Sequence, residues 1–380
     1  MKKTPVTTPW EIDLSQRLNA LVTDPDLRKV VYIYEKADTS TFRYRVYNMC
    51  QALSHSTEWR GIFFFEEELS LLQQHLEQVD VLIFVRTRWS IIFDTFLNRV
   101  KMRKIPVFFD VDDLVFDLDH IPLLMNSTNM PFTDQSYTYM FSYVSRLKLM
   151  GSLCDATIGT NDFLCERLTQ AFAKPSFKIP NFLNEEQTTV SEDLFSKKMT
   201  KKPSSHFSIG YFSGTPTHVN DFKVASAEIA ELLNRYPEMI LSVVGFMEFP
   251  KNLQPFLKKK QIAHHPLVNF LELQHLIVEA DVNIVPLQNN TFTNCKSELK
   301  FFEAAIVGTP TIATPTFTYR NSIVHQKTGF LCDQGDWYSN IEAIYRNPPT
   351  TEWLTHVKSE CLDRYGVEAQ VPCIVDVLTV

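Results

Sequence analysis

The stretch from Val282 to Thr314 constrains the fold most. An apolar run, Val282–Leu287, leads into a polar loop, a helical segment, Gly308-Thr309-Pro310 and a second β-rich run over 311–314. Leu299, Phe302, Ala305 and Ile306 recur at helical spacing and mark a buried face. Ser297 is expected to cap a helix starting at Glu298, and Gly308 with Pro310 just beyond to end it. Strand, helix and strand in this order form a βαβ unit, which implies a parallel sheet and an α/β domain. Ligands of such sheets collect at the carboxyl ends of the strands, beside the helix starts. There the loop carries Asn294, Lys296, Ser297 and Glu298, with Lys300 and Glu303 following on the helix. Lysines beside a helix start suit a phosphate. A carboxylate further along accepts hydrogen bonds from sugar hydroxyls. The pattern points to a phosphorylated sugar or nucleotide sugar, although a solvated amphipathic helix carries the same signals.

The rest of the chain repeats the alternation. Apolar runs at 30–34, 62–65, 81–85, 107–110, 155–161 and 177–182 predict the strands of a first α/β layer. Runs at 207–212, 241–245, 268–270, 282–287, 311–313 and 329–332 predict a second. The segment 184–205 is polar, contains K-K-M-T-K-K-P-S-S, and shows no apolar period. It divides the chain into a domain over 1–183, a linker over 184–205, a second domain over 206–350 and a helical end over 351–380. A length of 380 residues fits two domains.

Charge and cysteine usage limit the function classes. A net charge of −7 argues against a nucleic-acid partner. No apolar run reaches the length of a membrane span, and the first residues lack the apolar region of a signal peptide. The seven cysteines are scattered without a C-x-x-C pair, which predicts free thiols and a cytoplasmic setting. The basic patch R-V-K-M-R-K at 99–104 is a candidate for peripheral contact with anionic lipid.

Three further groups fall at predicted strand ends. Gly214 and Thr215 follow the strand at 207–212, with His218 just after. Gly214 would let the backbone approach a phosphate or acceptor, and a plain tight turn explains it equally. Arg43 and Arg45 follow the first strand, and Arg86 and Arg88 the third. They are candidate acceptor contacts, or solvated helix starts. Asp110, Asp112 and Asp113 follow the fourth strand. An Asp-x-Asp there can hold a divalent ion on a diphosphate. Acceptor contact by Asp112 and Asp113, and a solvated or capping role, are the other readings. His120 is a weaker candidate.

Glu303-Ala304-Ala305-Ile306-Val307-Gly308-Thr309-Pro310 resembles the donor-binding region of GT-B glycosyltransferases of family 4. The run K-S-x-L-K-x-x-E-A is similar to a variant in bacterial surface-polysaccharide transferases, including rhamnosyltransferase-like ones. Thr328-Gly329-Phe330-Leu331 and Gly335-Asp336 follow at a fitting distance. The resemblance covers residues 205–345 well and the first half loosely. It implies two Rossmann-like doubly wound domains facing a cleft, with the last helix crossing back to the first domain. It also implies retaining transfer of a sugar from a nucleoside diphosphate to a hydroxyl of a glycan or lipid-linked glycan, without cofactor or metal. Glu303 would hold the ribose hydroxyls. Lys296 and Lys300 would carry the diphosphate and, with Asp113 and His218, the chemistry. Two departures stand out. Cys295 replaces the family's first glutamate, and the Gly214 loop lacks the family's arginine and lysine. The first keeps open a non-catalytic partner of another transferase. An epimerase is a third reading.

Overall fold

The structure, a computed structural model, describes residues 8–201, 204–214 and 219–380. Among these residues, twelve strands form two six-stranded, wholly parallel sheets. The first holds β1 (Arg28–Tyr34), β2 (Trp59–Phe65), β3 (Val81–Val85), β4 (Val107–Asp110), β5 (Ala156–Gly159) and β6 (Ser176–Lys178). Its order is β2-β1-β3-β4-β5-β6. The second holds β7 (Phe207–Phe212), β8 (Met239–Val244), β9 (Ile262–His265), β10 (Val282–Val285), β11 (Thr311–Ala313) and β12 (Phe330–Leu331), in the order β12-β11-β10-β7-β8-β9. The strands are apolar and mostly buried because helices cover both faces.

Each sheet reverses its strand order once, between β1 and β3 in the first and between β7 and β10 in the second. A crevice opens at such a reversal, because the flanking loops depart to opposite faces. Both crevices open into the cavity between the domains.

The expected strand at 268–270 is not formed. The strand is Ile262–His265, and Phe270 instead begins the helix Phe270–Val278. Asn269 caps that helix by accepting from the backbone N–H groups of Leu271 and Glu272. The polar segment after residue 183 is a helix for most of its length, Glu185–Thr200, capped by Asn184. It packs against Phe270–Val278, where Ser191 donates to the Gln274 side-chain carbonyl at 3.3 Å. The C-terminal segment forms two helices, Thr351–Tyr365 and Val367–Thr379, on either side of Gly366. The second packs on the first domain's Asn48–Leu53.

One continuous apolar core joins the domains. It includes Trp10, Phe42 and Tyr44 from the first domain, Phe270 and Phe302 from the second, and Tyr365 from the end. Trp10 stacks on Phe270 with ring centroids 5.6 Å apart. No helix among the described residues is long and apolar enough to cross a membrane.

Candidate functional site

The interdomain cavity has a volume of about 510 Å³. On the second-domain side, β10 feeds the loop carrying Lys296 and the helix Leu299–Ala305. That helix starts one residue later than expected. Glu298, not Ser297, precedes it, and no side chain caps it. The Ser297 hydroxyl is turned to the first domain, where it accepts from the Asn181 amide at 2.9 Å. Gly308 ends the helical segment with a positive φ of 70°, as its position predicts.

Lys296 and Lys300 both line the cavity. The Lys296 Nζ lies 3.3 Å from Asp113 across the cleft and 4.4 Å from the Phe292 ring centroid. Lys300 sits over the Tyr211 ring at 5.4 Å. Burial pulls its pKa down to about 8, with Asp221 opposing the shift and Lys296 adding to it. A lysine in this state carries its charge poorly alone and well beside an anion.

Glu303 also lines the cavity and is buried. Its Oε1 accepts from the Tyr44 hydroxyl at 2.5 Å, from Arg43 at 3.3 Å and from the Gln187 amide at 3.3 Å. Burial raises the Tyr44 pKa well above its ordinary value, so the phenol remains a donor. With these bonds gathered on Oε1, Oε2 is the oxygen left for a ligand. Tyr44 and Gln187 were not singled out in the sequence. Arg43 was, as an acceptor contact, and it lines the cavity. It also holds Glu303 and lies over the Tyr44 and Phe270 rings.

The first-domain wall comes from the β1, β3 and β4 ends. Thr39, Ser40 and Thr41 line the cavity after β1, where a polar run directly after a buried strand was their signal. Arg86 has a left-handed backbone, φ 48°, and donates to Thr41 and Asp112. Such a conformation is strained for a residue with a side chain and is often found at functional positions. Asp113 lies between Arg86 at 3.9 Å and Lys296 at 3.3 Å. Asp112 accepts from Thr41 at 2.9 Å.

Other candidates lie elsewhere. Arg45 is fully buried and does not line the cavity. It forms two hydrogen bonds to Asp110, at 2.9 and 2.7 Å, and donates to the Ile179 carbonyl and Asn181. Burial pushes the Asp110 carboxyl up and Arg45 opposes it. Alternation explains the placement: Arg43 and Arg45 lie two apart on one wide turn and face different surroundings. Arg88 pairs with Glu35 at the surface. Glu298 faces away from the cavity and accepts from Tyr365 at 2.8 Å, and burial raises its carboxyl pKa. Cys295 is buried in the first domain's core with Phe292. His120 pairs with Asp117. Thr215 and His218 fall outside the described residues.

Gly214 lines the cavity, but a side chain added there would meet nothing nearby. Gly245 is the glycine the loop requires. Its φ is 95°, and a Cβ would lie 1.6 Å from the Ser213 carbonyl. Phe212, Val244, Leu267, Val268, Phe270 and Leu273 give the cavity an apolar stretch of wall.

Residues 207–347 match the family described as Glycosyl transferases group 1. The chain superposes on the Anabaena protein HepE, solved in complex with UDP, with TM-score 0.60 and 11% identity, covering 92% of this chain and 99% of that one. It also superposes on sucrose-phosphate synthase from Thermosynechococcus elongatus, with TM-score 0.57, 14% identity and coverage of 93% and 98%. These likenesses identify the fold as GT-B. The chain thus has the GT-B fold, and its second domain matches the glycosyl transferases group 1 family. In sequence it is 35% identical over 92 residues to D-inositol 3-phosphate glycosyltransferase of Arthrobacter sp. (strain FB24). That alignment spans 23% of this chain and 21% of the relative's length.

Proposed function

We propose that this protein moves a sugar from a nucleoside diphosphate to a hydroxyl of a glycan acceptor, with retention at the anomeric carbon, in the synthesis of a cell-surface polysaccharide or glycoconjugate. What carries the reading is the convergence of Lys296, Lys300 and Glu303 on one face of the interdomain cavity, inside the matched domain. The flat apolar wall suits a base, Glu303 Oε2 a ribose hydroxyl, and the two lysines a diphosphate. The UDP named for HepE supports uridine nucleotides as the first donors to test.

The opposite wall, with Thr41, Arg86, Asp112 and Asp113, suits hydroxyls of an acceptor. In the reaction the bond from the anomeric carbon to the phosphate oxygen breaks and a bond to the acceptor oxygen forms. The acceptor's proton passes to the leaving phosphate. Negative charge grows on that phosphate, so fixed cations beside it lower the barrier. The site requires no metal in this reading.

A screen of nucleotide sugars by thermal shift tests donor binding, since a ligand of the folded state raises the melting temperature. The buried Cys295 favours a second reading, a non-catalytic partner of another transferase, because it offers no carboxylate to the donor. Release of free nucleotide by the purified protein supports the enzyme. Donor binding without turnover, across a panel of acceptors, supports the partner.

A further inference from the structure

Glu303 is held from several sides, but by one oxygen. Its Oε1 accepts from the Tyr44 hydroxyl, the Arg43 guanidinium and the Gln187 amide. Arg43 and Tyr44 come from the wide turn Arg43–Tyr47 of the first domain, and Gln187 from the helix Glu185–Thr200. Glu303 itself stands on the helix Leu299–Ala305 of the second domain. Among the described residues no donor reaches Oε2.

The three donors are themselves fixed. Arg43 donates to Gln187 Oε1 at 2.7 Å and to the Thr39 carbonyl at 2.9 Å. Arg43, Gln187 and Glu303 thus close a ring of hydrogen bonds. The Arg43 guanidinium lies 4.0 Å from the Tyr44 ring centroid, and the Tyr44 ring meets Phe302, the neighbour of Glu303, edge-on at 6.2 Å. The Gln187 backbone N–H donates to the capping Asn184 side chain. All four residues are buried, none more than 4% exposed. A buried ion pair gains little over its desolvation, so stability alone does not account for the cluster. A side chain locked by packing and hydrogen bonds is what an exact ligand contact requires.

Each oxygen of an ionised carboxylate offers about two lone-pair sites. Three donors fill Oε1, so a grip with one ribose hydroxyl on each oxygen is closed off. We propose that Tyr44, Arg43 and Gln187 are positioning residues that make Glu303 read a single ribose hydroxyl, through Oε2, and leave the other unread. This rests on Glu303 being the ribose contact. It adds that residues outside the second domain decide how many hydroxyls that contact counts.

The test is calorimetric titration of the full chain with UDP, GDP, ADP and CDP, then with the 2′-deoxy and 3′-deoxy forms of whichever binds best. In the wild type one deoxy form should bind about tenfold or more weaker, the value of a hydrogen bond to a charged acceptor. The other should bind almost as well as its parent. Y44F removes the shortest bond to Oε1 and leaves two at 3.3 Å, while Y44F/Q187M leaves one. The penalties of the two deoxy forms should converge in Y44F and converge further in Y44F/Q187M, as Oε1 opens to the second hydroxyl. Damage to the fold alone would weaken parent and deoxy forms together and leave their ratios unchanged. Equal penalties in the wild type, or no penalty for either form, would overturn the proposal while nucleotide binding stands. So would a wild-type ratio kept by both variants. If none of the four nucleotides binds, the nucleotide-sugar reading itself fails and the proposal with it. The wild-type comparison decides even if a variant does not fold.

Discussion

The two walls of the cleft hold their charges in opposite ways. On the first-domain wall Arg86 is already met by Asp112 and Thr41, and Arg43 by Gln187 and Glu303. On the second-domain wall Lys296 has one partner, reached across the cleft, and Lys300 rests on an aromatic ring. Cations that are already paired have little left for a ligand. Half-buried cations, one met only by a carboxylate across the cleft and the other resting on a ring, bind an anion strongly, because the ligand supplies the missing charge. The difference supports the proposed reading, in which the second domain holds the leaving group and the first positions hydroxyls.

The sharpest break in this comparison lies within the first domain, between Arg45 and its neighbour Arg43. Arg45→Met removes one partner of a fully buried, doubly bonded pair and strands Asp110. Breaking such a pair costs about 3–5 kcal/mol. Urea unfolding should reveal this loss, while Arg43→Met should cost less stability and act mainly on donor binding through Glu303. Equal, small effects of both would remove the structural role given to Arg45.

On the second wall, Lys300→Met should slow turnover at subsaturating donor by roughly ten- to hundred-fold, the value of about 1.5–3 kcal/mol for a charge-assisted bond. Stability should move the other way. The Lys300 pKa is lowered in the folded protein, to about 8 from 10.5. Between those values the unfolded chain holds a proton that the folded one lacks, so this lysine's contribution to stability rises with pH across that window. Below it, burying the charge is a constant cost that methionine removes. The ligand-free mutant should therefore melt higher at neutral pH. Donor affinity of the wild type should fall as pH rises through about 8, as the neutral amine appears. A mutant of normal rate and unchanged melting temperature would return the diphosphate to Lys296 alone, or to Arg43 and Arg86.

A smaller effect is expected from Glu303→Gln. The amide keeps its size but loses the charge that Arg43, Tyr44 and Gln187 now share. Donor affinity measured by calorimetry should fall about tenfold, the value of one hydrogen bond to a charged acceptor. An unchanged affinity in a folded mutant would remove Glu303 from the ribose.

Much of this wall was legible beforehand. The βαβ unit around Leu299–Ala305, its Gly308 stop and the strands at 81–85 and 311–313 follow from periodicity and turn residues, which are local signals. The helix Glu185–Thr200 was not, because its buried face includes Gln187 and Ser191, polar groups satisfied only by distant partners. The fate of Arg45 was equally hidden. Two arginines separated by one residue read alike, and only Asp110, sixty-five positions away, distinguishes them. Gly245 escaped notice because its neighbour in space, Ser213, lies on another strand's loop. Local chemistry indicated the second-domain wall, and long-range pairing set the first-domain wall.

The smallest expected effect is that of metal removal, which should be none. Asp110, Asp112 and Asp113 follow one strand, in a pattern able to hold a divalent ion. In the fold they separate. Asp110 is committed to Arg45 in the sheet interior. Asp112 accepts from Thr41 and Arg86, and Asp113 lies beside Arg86 and Lys296. An ion bound by Asp112 and Asp113 would have to displace a guanidinium and an ammonium and then stand beside them, which Coulomb repulsion opposes. The lysines of the facing wall already supply the positive charge that a metal would bring to a diphosphate. Turnover in excess chelator should therefore equal that in magnesium or manganese. If chelator abolishes the reaction and either ion restores it, Asp112 and Asp113 exchange their cations for a metal when the donor enters, and the contrast between a paired wall and an open one fails where the chemistry occurs.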